Sequence, residues 1–449
     1  MGSTVFDSVL FRDMFGTAEM RAVFTDEALV GRYIEAEVAL ARAQARLGVV
    51  PQEAAKAIEA AAKSITIDFD KLRHETEIVG YPILPLVHQL SAAAGEAGRY
   101  VHWGATTQDI MDTANVLQIR AALAIVARDL REVRDILRAM AKKYRDTPMA
   151  GRTHLQQALP VTFGYKAAVW LSSIDRHIER VEQALPRILL GEFSGAAGTL
   201  ASVGEGGLEM QKLFCDELGL HQPSITWHVA RDGIAEAVTL LGLITGTLGK
   251  IATDVMLLSS SEFGEVSEPF VPGRGASSTM PQKRNAISSE LMLAAAKAVR
   301  QHVATMLDGM IHDLERATGP WHLEWVSLPE SFLLTASSLA NAKFMLAGLV
   351  VHDKRMLKNL DLTRGLIVAE AVMMAAAPKL GRQHAHDVVY DACRKAIESG
   401  GRLADILVDV PEITEALGGE AAIRRHCDPA NYLGLCGPMV DRVLDMGKN

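Results

Sequence analysis

The sequence predicts an all-α protein built on long helices, and three observations carry the prediction. From Val116 to Tyr144 apolar residues recur in alternating steps of three and four: Val116, Ile119, Leu123, Val126, Leu130, Val133, Leu137, Met140, Tyr144. That is the repeat of a single helix face, continued over about 35 residues or roughly 50 Å of helix. Residues 233–264 are apolar on nearly every face and rich in Gly and Thr, interrupted by Glu236, Lys250, Asp254 and Glu262. Hydrophobic residues make up 49% of the chain but aromatics only 5%, and the Ala- and Leu-rich balance suits helix-on-helix packing.

A chain of 449 residues allows two to three domains. Three helical domains are expected, over residues 1–110, 111–350 and 351–449. In the first, Thr25-Asp26-Glu27 reads as a helix start. Ile34, Val38, Ala41 and Ala45 then step by four, three and four, Pro51 opens a second segment, and a third lies near Ile83–Ala97. The middle domain holds the long helix that ends at Thr147-Pro148 and four others, near 160–190, 233–264, 286–311 and 327–350. The last has shorter helices broken by Gly and Pro. A helix of about 35 residues is uncommon in a compact monomer, and a helix apolar all round must be buried. A bundle shared between subunits answers both demands.

Charge bounds the partners. Lys and Arg total 46 against 54 Asp and Glu, a net −8 with no block of like charge. That disfavours nucleic acid and anionic membrane surfaces. Cys215, Cys393, Cys427 and Cys436 have no metal-ligand spacing. Reduced thiols and the opening Met1-Gly-Ser-Thr-Val-Phe-Asp, which is no signal peptide, lead us to expect a cytoplasmic protein.

The chemistry concentrates in loops between helices. Gly273-Arg-Gly-Ala-Ser-Ser-Thr-Met-Pro-Gln-Lys-Arg-Asn285 sits between two long apolar stretches. It carries a hydroxyl pair, Ser277 and Ser278, then Lys283 and Asn285, and ends where a helix should begin. Free N–H groups at a helix start, together with the Lys283 ammonium, can hold a carboxylate and stabilise further negative charge developing on it. Two other loops, Tyr100–Asp109 and Gly151–Gln157, place His102, Thr106, Thr107, Thr153 and His154 near helix ends. Taken alone, the first reads as a turn with capping residues, and a lone His after a turn is more often structural than catalytic.

Ser277–Asn285 resembles the G-S-S-x-M-P-x-K-x-N-P signature of the fumarase/aspartase superfamily, with Ala276 for the usual Gly and Ala286 for the usual Pro. Tyr100–Asp109 is similar to its H-x-G-x-T-S-x-D segment, with Thr107 for Ser. Gly151–Gln157 resembles G-R-T-H-x-Q, and Phe193–Thr199 resembles S-G-A-x-G-T. Leu314–Trp325 is similar to a stretch of 3-carboxy-cis,cis-muconate cycloisomerases, which points to the adenylosuccinate lyase and muconate cycloisomerase branch. Ala230-Arg231-Asp232-Gly233 departs from the Q-R-D-R of that branch but keeps Arg231 as a candidate carboxylate ligand.

The resemblance implies an L-aspartase/fumarase-like fold and a homotetramer with active sites shared between subunits. It implies anti elimination beside a carboxylate of a small dicarboxylate or tricarboxylate, with no metal and no organic cofactor. Ser277 would be the base and His154 the acid. His102, Thr106, Thr107, Thr153, Arg231, Ser278, Lys283 and Asn285 would bind substrate. Met14-Phe15 and Gly80-Tyr81-Pro82 stand where adenylosuccinate lyases carry polar residues that grip a phosphate, which disfavours that substrate. Cycloisomerases tend to have Trp where this chain has His154. The first expectation is therefore C–N cleavage of an N-substituted aspartate to fumarate and an amine. A lactonising 3-carboxy-cis,cis-muconate cycloisomerase is the alternative, and a non-catalytic structural relative a remote one.

Overall fold

A computed structural model describes residues 2–316 and 318–446 and is all-α, as predicted. The five long helices are Thr107–Lys143, Phe163–Ile188, Asp232–Ser259, Ile287–Gly309 and Pro320–Ala347. The stripe that announced the first is its core face: from Val116 to Leu137 no member is more than 1% exposed. The last begins earlier than expected, because Pro320 occupies the first helical position, where its missing N–H costs nothing. Trp321, Glu324 and Trp325 therefore lie on helix and not in a connecting loop.

Along the third helix Leu243, Gly246, Lys250, Thr253 and Leu257, spaced three and four apart, form a stripe that is exposed in the single chain. Leu243 and Leu257 are 47% and 40% exposed. The most apolar windows of Thr107–Lys143 and Asp232–Ser259 could cross a membrane by composition, yet 67% and 61% of those windows are packed inside the protein.

The chain groups into two compact units. One comprises Met1–Leu130, His177–Gly249 and Leu291–Ala340. There Thr25 caps Asp26–Arg46 by accepting the Ala28 N–H at 3.2 Å, as its sequence position implied. Ala41 and Ala45 of that helix pack on Ala55 and Ile58 of Gln52–Ser64. The other unit comprises Arg131–Arg176, Lys250–Glu290 and Asn341–Asn449. Its short C-terminal helices close around Val372, Val389, Leu403, Leu407, Ile413 and Ile423. It also holds the longer of the two small antiparallel pairs among the described residues, Pro148–Thr153 with Gln156–Thr162.

Candidate active site

In the second unit, His154 and Leu155 are the two loop residues of that hairpin, with φ of 50° and 63°. A two-residue hairpin loop of the primed type needs positive φ at both positions, which Asn-Gly normally supplies. His and Leu hold it at a cost of the order of 1 kcal/mol or more each. Both side chains are exposed, so packing does not explain the choice. The hairpin is anchored from below. Arg152 donates to both oxygens of the buried Glu265 at 2.6 and 3.0 Å, and its guanidinium lies 4.4 Å over the Phe263 ring. Gln157 Nε2 donates to the Asn359 carbonyl at 2.7 Å. Gly151 sits at the bulge, where a Cβ would come within 2.7 Å of the Leu159 carbonyl oxygen. Thr153, exposed, precedes His154 at the tip.

The Ser277 loop closes on itself in the same unit. Asn285 N–H donates to the Gly275 carbonyl at 2.9 Å, and Ala276 bridges Arg284. Gly275 has φ 70°, and a Cβ there would lie 2.4 Å from the Asn285 carbonyl oxygen, so only glycine permits this closure. Ser277 Oγ accepts the Met280 N–H at 3.1 Å and the Thr279 N–H at 3.3 Å. Donors aimed at a hydroxyl oxygen favour its deprotonated form. Ser277 and Asn285 are half-buried, while Ser278 and Lys283 are exposed. A cavity of about 710 Å³ beside the loop is lined by Arg274, Lys283, Arg284 and Asn285, with Glu268 and Glu290. Arg284 lies over the Phe270 ring and Arg274 bonds to Ser288 and Asn341. Among the described residues the Lys283 ammonium has no partner, so it is free to meet an anion.

One expectation about this loop is corrected. The N-terminus of Ile287–Gly309 is not open to a ligand, because the Glu268 carboxylate occupies it. Glu268 accepts the Ser289 N–H at 2.9 Å, the Ser289 hydroxyl at 2.7 Å and the Ser288 N–H at 3.2 Å. A carboxylate at a helix start satisfies both the orphan donors and the dipole. Among the described residues no hydrogen bond joins His154 to the Ser277 loop.

The first unit carries the remaining candidates. His102 has φ 61° and its Nδ1 lies 2.6 Å from Glu37 Oε1. Burial disfavours the charged ring, but the Glu37 carboxylate outweighs it and raises the His102 pKa. Thr106 and Thr107 are half-buried at the start of Thr107–Lys143. The Thr106 N–H donates to Asp109 Oδ2 at 2.9 Å, the reciprocal half of a capping box.

The candidate ligand Arg231 is turned to carboxylates of the protein itself. Its guanidinium is wholly buried and donates to Asp112 at 2.6 and 2.9 Å and to Glu324 at 2.8 and 2.6 Å. Four of its five N–H groups are thereby taken. Burial opposes its charge, but the two carboxylates hold it protonated. Tyr81, read as the replacement for a phosphate-gripping residue, stacks on Trp321 at 5.6 Å, next to the His322–Trp325 pair at 4.4 Å. Ala317, within Leu314–Trp325, lies outside the described residues.

Sequence reading missed the buried partners Glu37, Asp112, Glu192 and His228. Only Asp109 carried a signal, as a capping residue. Ligand atoms of Asp109, Glu192 and His228 lie within 4.8 Å of one another, a spacing a metal could use. Each is instead engaged by hydrogen bonds within the protein.

Long apolar helices whose connecting loops carry a cradled serine, a free lysine and a strained histidine are the arrangement that the resemblance to fumarate lyases implies. A profile described as Lyase matches residues 15–300 and one described as Adenylosuccinate lyase C-terminus matches 365–443, so the chain belongs to the fumarase/aspartase superfamily and is an enzyme. It is 46% identical to trans-aconitate decarboxylase 1 of Mycosarcoma maydis, over 96% of this chain and 88% of that one. It is 43% identical to the 3-carboxy-cis,cis-muconate cycloisomerase of Acinetobacter baylyi, over 98% and 99%. Identity to the N-acetyl-S-(2-succino)cysteine lyase of Enterococcus italicus is 40%, over 99% and 97%. Among solved structures, a fumarate lyase from Mesorhizobium sp. BNC1 aligns with a TM-score of 0.91 at 56% identity, over 96% and 98%.

Proposed function

We propose that this lyase eliminates a heteroatom group from a substituted succinate, and that its first-choice substrate is an N-substituted aspartate cleaved to fumarate and an amine. The observation that carries the reading is His154 at the exposed tip of a strained, anchored hairpin. Ser277 takes the proton from the carbon next to a carboxylate. The electron pair forms the double bond, the C–N bond breaks, and His154 gives its proton to the departing nitrogen. Lys283, Asn285, Ser278, Thr153, His102, Thr106 and Thr107 hold the carboxylates and the negative charge that builds on them. An amine is a poor leaving group unless protonated, so an acid at this position has a purpose. The succinocysteine lyase relative supports elimination from a succinyl group in general.

A second reading, lactonisation of 3-carboxy-cis,cis-muconate, is favoured by whole-length similarity to a cycloisomerase. Fumarate release, followed by ultraviolet absorbance across N- and S-substituted succinates with carboxymuconate alongside, separates them. Fumarate and amine release that is lost in His154→Trp supports the first. Lactone formation by the wild type, with no fumarate from any substituted succinate, overturns it.

We also propose a cytoplasmic homotetramer whose active sites draw on more than one subunit. The exposed Leu243–Leu257 stripe, on a helix otherwise in the core, supports a shared bundle. A monomer mass by light scattering, with the fold intact, would remove it.

A further inference from the structure

We propose that Asp109 and His228 are positioning residues for carboxylate binding, locking the Thr106–Thr107 turn to the Ser194–Gly195 turn. The inference rests on the reading of Thr106 and Thr107 as carboxylate ligands. Asp109 is fully buried and accepts four hydrogen bonds. Oδ2 takes the Thr106 N–H at 2.9 Å and the Gly195 N–H at 3.0 Å. Oδ1 takes the Ser194 N–H at 3.0 Å and lies 2.7 Å from His228 Nε2. A carboxylate has about four acceptor positions, so Asp109 is saturated. The donors come from three segments distant in sequence, and one side chain joins them all.

His228 makes the junction directional. Both Asp109 oxygens already accept backbone N–H groups, so Nε2 is placed as the donor of the fourth bond. Nδ1 faces the Thr226 hydroxyl at 3.2 Å, and the His228 carbonyl receives Gln108 Nε2 at 2.8 Å. Behind it, Glu192 accepts the Trp227 N–H at 2.7 Å and the Ser194 hydroxyl at 2.5 Å. The backbone N–H of Glu192 donates to Thr113 on the Thr107–Lys143 helix at 2.9 Å. Burial pushes the Glu192 carboxyl up to about 7, against the pull of His228. Asp109, Glu192 and His228 are all buried, so they act on the site through the turns they hold. Their effect is on where the two half-buried threonines point.

The test uses fumarate as the probe, with its dissociation constant from calorimetry and kcat and KM on the best succinyl substrate. His228→Leu removes the Nε2 donor. It should weaken fumarate binding and raise KM by about tenfold or more while kcat stays within about threefold, the pattern of lost ground-state positioning. His228→Gln keeps an N–H near the Nε2 position and should recover most of that loss. Asp109→Asn, nearly the same shape, should weaken fumarate as His228→Leu does, and it carries the test if the leucine variant does not fold. The proposal is overturned if folded His228→Leu or Asp109→Asn binds fumarate like the wild type while Thr107→Val does not. It is also overturned if Gln and Leu at 228 are equally impaired, in kcat as much as in KM. If Thr107→Val itself leaves fumarate binding unchanged, the carboxylate reading of the threonines falls and the positioning role falls with it.

Discussion

Arg231 grips Asp112 through two parallel hydrogen bonds, Nη1 to Oδ2 at 2.6 Å and Nη2 to Oδ1 at 2.9 Å. Glu324 takes another edge of the same guanidinium. All three side chains are buried, and burial raises the Glu324 pKa against the pull of Arg231. Arg231→Leu leaves two carboxylates without their cation. It should destabilise the fold by about 3–5 kcal/mol, the usual cost of breaking a buried ion pair from one side. Urea unfolding measures this. A fully stable variant with only a raised KM would return Arg231 to the substrate site.

Ser277→Ala removes the proposed base and leaves the loop closure through Gly275 and Asn285 in place. Turnover should fall by at least roughly 10²–10⁴-fold, with little change in circular dichroism or unfolding midpoint. Near-wild-type turnover would exclude Ser277 as the base.

Glu268 tests the cap on the helix that follows the loop. Glu268→Ala exposes the Ser288 and Ser289 N–H groups and should cost about 0.5–2 kcal/mol, in the range of lost N-caps. Glu268→Gln keeps an acceptor oxygen and should lose less. If both variants unfold at the wild-type midpoint, the cap contributes nothing.

His102 gives stability a pH dependence of definite sign. Its folded pKa is raised above the ordinary histidine value, with burial opposing and Glu37 prevailing. The stabilisation is therefore fully present below about pH 6.5, the unfolded value, and is lost as pH rises through the folded one. Glu37→Gln should lower the unfolding midpoint more at pH 6 than at pH 9. An equal loss at both would mean the pair does not act through the charge of His102.

What the sequence determined by itself was local. The three-four repeat from Val116 to Leu137 became the core face of one helix, because helix geometry places those side chains in a line whatever packs against them. Thr25 announced a cap three residues before the N–H it accepts. The Ser277 loop was legible as a polar connection ending at a helix start, but its closure from Asn285 N–H to the Gly275 carbonyl was not. The hairpin strands flanking His154 escaped notice, since Pro148–Thr153 has no clean alternation of polar and apolar residues. Tertiary structure alone decided which donors meet which acceptors. Asp112 lies 119 residues from Arg231 and Glu324 lies 93 away, and nothing in the neighbourhood of Arg231 distinguishes a carboxylate of the protein from one of a substrate. The same holds for Glu268, about 20 residues before the helix start it caps. A guanidinium or a helix terminus states in sequence what charge it wants. The partner is whichever group the fold brings within about 3 Å, because hydrogen bonds act only over that distance.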